Sequence, residues 1–179
     1  MVLSWFRKEE EEPSSPKVLK PTQPRVRIGE LLRADLILVS PPALDKDELI
    51  RHLGRTLCER RGLGDPAPLL SRVFLREQGI CTTLDTGLSA PHARIDGLED
   101  FVAILGLVPQ GLADPKQPDL LIRAMFLFFS PNRQEAVTRH LHLLRGVASL
   151  LQPAFIEAML QEPEPARILE LIERAEQGG

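Results

Sequence analysis

The chain has 179 residues, of which 43% are hydrophobic and 26% charged, and a formal net charge of −3. That length buries a sizeable core without staples, and the slightly acidic total implies no broad basic surface, so nucleic acid is not the default partner. The two cysteines, Cys58 and Cys81, form neither a CxxC zinc pattern nor a disulfide framework, which fits a reducing cytoplasm.

The N-terminus carries Val2, Leu3, Trp5 and Phe6, an apolar run too short for a signal-peptide core and best read as a frayed end. No later stretch approaches the roughly 20 continuous apolar residues of a membrane span. Glu9 to Glu12 and the prolines at 13, 16, 21 and 24 cannot build a core. Residues 1–27 are therefore expected to form a disordered acidic, Pro-rich tail, and residues 28–179 one folded domain. Leu36 to Val39 reads as a short strand. Asp45 is placed to cap a helix with Leu49, Ile50, Leu53 and Leu57 at helical spacing, ending near Gly62 and Gly64. Asp65 and Pro66 open a second helix that runs to Glu77. Residues 80–91, rich in Thr and Gly, read as extended or looped. Phe101 to Val108 and Leu120 to Phe129 are dense apolar runs suited to strands buried on both faces. A long helix from about Arg133 to Leu151, a shorter one from Pro153 and a last one over 164–176 complete the pattern. Helices alternating with strands predict an α/β layered domain.

Three places carry candidate chemistry. Pro91 fixes its own φ and drives Ala90 to an extended conformation, so His92 is presented from stiff, non-helical backbone. A rigidly held, mostly neutral imidazole suits nucleophilic acceptance of a phosphoryl group, although a loop histidine after proline is more often structural or solvated. On the long helix, Val137, Leu141, Leu144, Ala148 and Leu151 are expected to share the apolar face, with His140 on it and His142 on the far side. His140 then reads either as a satisfied core histidine or as part of a site against which the helix packs; two histidines so spaced on a helix cannot chelate one metal. His142 and His52 read as surface residues. Arg76, just before Cys81-Thr82-Thr83, reads either as a phosphate-gripping guanidinium or as a solvated cation at a helix C-terminus.

The ungapped stretch Arg76-Glu-Gln-Gly-Ile-Cys-Thr82-Thr-Leu-Asp-Thr-Gly87-Leu-Ser-Ala-Pro91-His92-Ala-Arg94 resembles the active-site segment of fructose, mannitol and nitrogen-regulatory enzyme IIA domains of the phosphotransferase system. Arg139-His140-Leu-His-Leu-Leu resembles that family's second histidine motif, and Asp114, Pro118-Asp-Leu-Leu, Ser130-Pro131 and Lys46-Asp-Glu-Leu-Ile also look like the family. The resemblance covers about residues 28–176 and is nearest to the nitrogen-regulatory type. It implies a mixed β-sheet flanked by helices on both faces. It implies that His92 is the phosphorylated histidine, that His140 and Arg76 sit beside it as catalytic partners, and that Thr82 binds the phosphoryl group. It further implies a phosphocarrier protein as donor, an enzyme IIB, a kinase or a transporter as acceptor or target, and no metal or organic cofactor. The chain departs from the family at Thr83 to Thr86, where two glycines are lost and an acid, Asp85, enters. If Asp85 faced the site it would repel a phosphoryl group.

Overall fold

The computed structural model describes residues 26–79 and 81–178. The expected tail lies outside the described residues apart from Val26 and Arg27, and the first helical turn, α1, spans Ile28–Leu31. Helix α2 (Lys46–Arg61) begins where Asp45 caps it, its carboxylate accepting from the Glu48 N–H at 2.8 Å. It ends at Gly62, whose φ of 64° is the left-handed geometry of a helix stop. Helix α3 (Pro66–Gln78) starts the same way. Asp65 accepts from the Ala67 N–H at 3.0 Å, and Pro66 fills the first position, where a missing N–H costs nothing.

The sheet is mixed. Strand β1 (Ile37–Val39) runs parallel to β4 (Val102–Asp114), and β4 forms an antiparallel hairpin with β5 (Gln117–Pro131). On the far side of β5 lie β2 (Leu88–Ser89) and β3 (His92–Ile95), both parallel to it. These two are one edge strand in a single register, with Leu88 opposite Ala124 and His92 opposite Phe128. The break falls at Ala90-Pro91, where proline offers no N–H to a ladder, a position it tolerates only at an edge.

The strands expected over 101–108 and 120–129 are both present and both longer. Pro109, Gln110 and Gly111 look like a terminator in one dimension, yet β4 runs through them. A register shift between Leu107 and Leu112 and a positive φ of 73° at Gly111 form a bulge that absorbs the proline.

Helix α4 (Val137–Leu150) follows a 3₁₀ turn at Gln134–Ala136, and α5 (Pro153–Leu160) and α6 (Pro165–Gln177) close the chain. Its buried stripe is Ala136, His140, Leu143, Val147 and Leu151. The expected face was centred about 80° away at 100° per residue. It placed His140 inward as observed, but it also placed Leu141 inward, whereas Leu141 is 58% exposed. Four leucines in the helix leave the apolar arc wider than the face that packs, so composition could not centre it.

Helices cover both faces. Helix α2 lies over Gly106, where an added Cβ would stand 3.0 Å from Leu53 Cδ1. Helix α4 lies on the opposite face, reached through Phe128, whose ring is 5.4 Å from that of His140. Phe126, Phe128 and Phe129 are fully buried, so β5 is apolar on both sides.

Candidate functional site

The site forms where the broken edge strand meets α3 and α4. The loop before it is a tight reversal. Thr83 bridges antiparallel to Ser89, and the Gly87 N–H donates to the Leu84 carbonyl at 3.1 Å. Gly87 has φ 83°, and a Cβ there would lie 3.3 Å from Arg123 Cγ and from the Leu121 carbonyl oxygen, so glycine is required. The chain then joins β5, and His92 follows Pro91 into the register of Phe128.

His92 is buried, with 7% of its surface exposed. Its ring stacks on Phe128 at 5.2 Å and 16°. Its Nδ1 lies 2.8 Å from the Ala90 carbonyl oxygen. His140 meets it edge-on, ring centroids 5.2 Å apart and planes at 64°. His140 Nδ1 is 2.7 Å from Ser130 Oγ. Alternation along β5 explains the assembly. Phe128 and Ser130 point to the same face, so the strand supplies a platform for both rings and a hydroxyl anchor for the second.

Burial lowers the pKa of His92, the nearby Arg76 charge adds to this, and the Ala90 carbonyl and Glu77 oppose it. His140 falls further, to about 4, through burial first and then the charges of His92, Arg94 and Arg76. Both imidazoles are therefore neutral near pH 7. Arg76 stands half-buried at the end of α3, close enough for its charge to bear on both rings. The structure thus gathers His92, His140 and Arg76 in one place. Arg94, not expected from sequence, is a further cation acting on His140 and anchors its guanidinium on the Arg133 carbonyl at 2.9 Å.

Thr82 is also buried beside this pocket, but its hydroxyl donates to Glu77 Oε1 at 2.6 Å. Glu77 belongs to a buried polar cluster. Lys46 Nζ contacts Glu77 Oε2 at 2.8 Å and Asp114 Oδ2 at 2.8 Å. Thr83 Oγ1 donates to Asp114 Oδ2 at 2.5 Å and lies 3.1 Å from Ser89 Oγ. Lys116 Nζ donates to the Glu77 carbonyl and to that of Gly79, closing the end of α3. Burial works against ionisation of Asp114, yet the bonds from Lys46, Thr83, the Lys116 N–H and Cys81 hold its carboxyl well below the usual range. Burial likewise disfavours the Lys46 ammonium, and its bonds to Asp114 and Glu77 more than offset this. Sequence reasoning missed the cluster because its members come from α2, α3 and the tip of the hairpin. Asp85 is exposed on the turn. The side-chain charges acting on His92 are those of Arg76 and Glu77.

Among the described residues no group of three or more His, Cys, Asp or Glu side chains is arranged to hold a metal ion. Nor, among them, is any single helix long and apolar enough to cross a membrane.

Residues 30–175 match the sequence profile of the phosphoenolpyruvate-dependent sugar phosphotransferase system, EIIA 2. A nitrogen regulatory protein of Pseudomonas aeruginosa is 25% identical over 148 residues, which cover 80% of this chain and 92% of that protein. Among solved structures, nitrogen regulatory protein IIA-Ntr from Neisseria meningitidis superposes with a TM-score of 0.71 at 20% identity, over 81% of this chain and 98% of that one. Enzyme IIA for mannitol from Escherichia coli, solved in complex with its phosphorylated enzyme IIB, gives 0.65 at 19% identity, over 79% and 96%.

Proposed function

The chain belongs to the phosphoenolpyruvate-dependent sugar phosphotransferase system EIIA 2 family, and from that premise we propose that it is a cytoplasmic phosphohistidine relay that carries the phosphoryl group on His92. The observation that supports this most directly is the 2.8 Å contact between His92 Nδ1 and the Ala90 carbonyl. A carbonyl oxygen can only accept, so Nδ1 holds the proton and the lone pair of the neutral ring lies on Nε2.

In this reading a phosphocarrier protein brings its own phosphohistidine to the site. His92 Nε2 attacks phosphorus as the donor's N–P bond breaks, and the bonding pair stays on the donor's ring nitrogen. Each ring keeps its own N–H. The positive charge gained by the His92 ring is stabilised by the Ala90 carbonyl. Arg76 neutralises the phosphoryl oxygens in the transition state, and His140 hydrogen-bonds one of them. Thr82, expected from sequence as a phosphoryl contact, has its hydroxyl committed to Glu77 at 2.6 Å and serves in this reading to fix the backbone beside His92.

Regulation of the nitrogen type, with a kinase or transporter as target, is the first reading because both the His140-Leu-His142 form and the Pseudomonas relative favour it. Transfer to a separate enzyme IIB is the second, favoured by the complex formed by the mannitol enzyme IIA. The test is intact mass after incubation with phosphoenolpyruvate, enzyme I and the phosphocarrier protein. One phosphate adduct is expected on the wild type and none on His92→Ala; an adduct of equal yield on the variant would refute the assignment.

A further inference from the structure

We infer that Glu77 is a positioning residue for His92, acting through Thr82 and the Ala90 peptides to hold the imidazole as the Nδ1–H tautomer. The inference rests on the phosphoryl-acceptor reading for its purpose, but its geometry stands independently.

The path is continuous. Glu77 Oε2 is fixed by Lys46 at 2.8 Å, leaving Oε1 to accept from Thr82 Oγ1 at 2.6 Å. That bond sets the side chain, and with it the backbone, of Thr82. The Thr82 carbonyl accepts the Ala90 N–H at 3.0 Å. Ala90 precedes proline and is confined to extended backbone, so the directions of its N–H and C=O are rigidly related. With the N–H anchored on Thr82, the C=O is aimed at His92 Nδ1, 2.8 Å away. Everything in the path is buried: Glu77 and Thr82 are each 8% exposed, Ala90 9% and His92 7%. Water is poorly placed to substitute for a lost link.

The chemistry needs this hold. A neutral imidazole free to exchange its proton would place the lone pair on Nδ1 part of the time, where it faces a carbonyl and not an incoming phosphorus. Glu77 therefore contributes by keeping the reactive nitrogen unprotonated and fixed in direction. It touches neither donor nor phosphoryl group.

The experiment is two-bond ¹H–¹⁵N correlation NMR of the histidine rings at neutral pH, on the full chain, for wild type, Glu77→Gln, Glu77→Ala and Thr82→Val. Wild type should show His92 wholly as the Nδ1–H tautomer. Glu77→Ala and Thr82→Val should both show a mixture, and the double variant should be no more mixed than either single one, as expected of residues acting in series. Glu77→Gln keeps an acceptor for Thr82 and should restore the single tautomer. Phosphoryl uptake should fall about tenfold in Glu77→Ala, the scale of one hydrogen bond's net contribution, and recover in Glu77→Gln. A pure Nδ1–H tautomer in folded Glu77→Ala or Thr82→Val would overturn the inference. Thr82→Val leaves the buried charges in place and so keeps the question answerable if Glu77→Ala fails to fold. Absence of phosphoryl uptake in the wild type would sink the relay reading while leaving the tautomer result standing.

Discussion

At His92 one carbonyl decides which nitrogen carries the lone pair, and at His140 one hydroxyl decides how the second ring is held. On the proposed relay, replacing His140 by alanine removes a partner of the phosphoryl group but not its acceptor. His140→Ala should therefore still gain the adduct, with onward transfer slowed by about tenfold or more, as read from the decay of the phosphorylated form in the presence of an acceptor protein. Protonation gives a second expectation. Burial, then the charges of His92, Arg94 and Arg76, bring the pKa of His140 from 6.5 to about 4. A group depressed in the folded state binds its proton more readily when unfolded, so its contribution to stability is intact above about pH 6.5 and is lost as pH falls towards 4. The loss is on the order of 3 kcal/mol. Urea midpoints measured across that window should drop in the wild type and drop less in His140→Phe, which cannot titrate. A proline, a helical period and a helix end each draw notice to His92, His140 and Arg76 without deciding their role, and only the family resemblance joins them into one expected site. Phe128 draws none, since the strand that carries it reads as featureless apolar chain, and Ser130 stands out only as a family-like position with no partner assigned. Lys46, Glu77 and Asp114 lie within family-like stretches, but nothing in the sequence joins them to one another. Lys46 and Asp114 lie 68 positions apart, and only the folded sheet brings them together.

Among the elements, those with their own punctuation were the predictable ones. Asp45, Gly62, Asp65 and Pro66 mark helix ends by local chemistry, and α2 begins and ends, and α3 begins, where those residues say. The hairpin was harder, because a strand paired along its whole length can carry a proline and a glycine that would end it if it stood alone. Gly87 is the most exacting position in the loop that serves the site. Gly87→Ala would place a side chain at φ 83° against the Leu121 carbonyl and Arg123. That conformation costs roughly 1–2 kcal/mol for an L-residue, so the melting temperature should fall by about 2–8 °C in a calorimetric scan. An unchanged melting temperature would mean that the turn refolds in another geometry.

For the molecule as a whole, the buried cluster ties α2, α3 and the hairpin tip to one another with a single ammonium between two carboxylates. Lys46→Met would leave Glu77 and Asp114 without their cation in a nearly water-free place. The expected cost is about 3–5 kcal/mol, measurable as a lower urea midpoint; a loss below about 1 kcal/mol would show that the carboxylates find other partners. The sheet order has a different consequence, one of timing. Only β4 and β5 are joined by a short turn, whereas β1, β2 and β3 reach their partners across long stretches of chain. In pulse-labelled hydrogen exchange during refolding, the hairpin amides should gain protection before those of β1 and β3. On the ribosome the same order is imposed by direction. His92 is synthesised before the Phe128 on which it stacks and before the helix that brings His140. A nascent chain that ends ahead of Phe128 already contains His92 but neither the ring it stacks on nor His140, so on the proposed relay the capacity to accept a phosphoryl group is acquired only once the later part of the domain has been made.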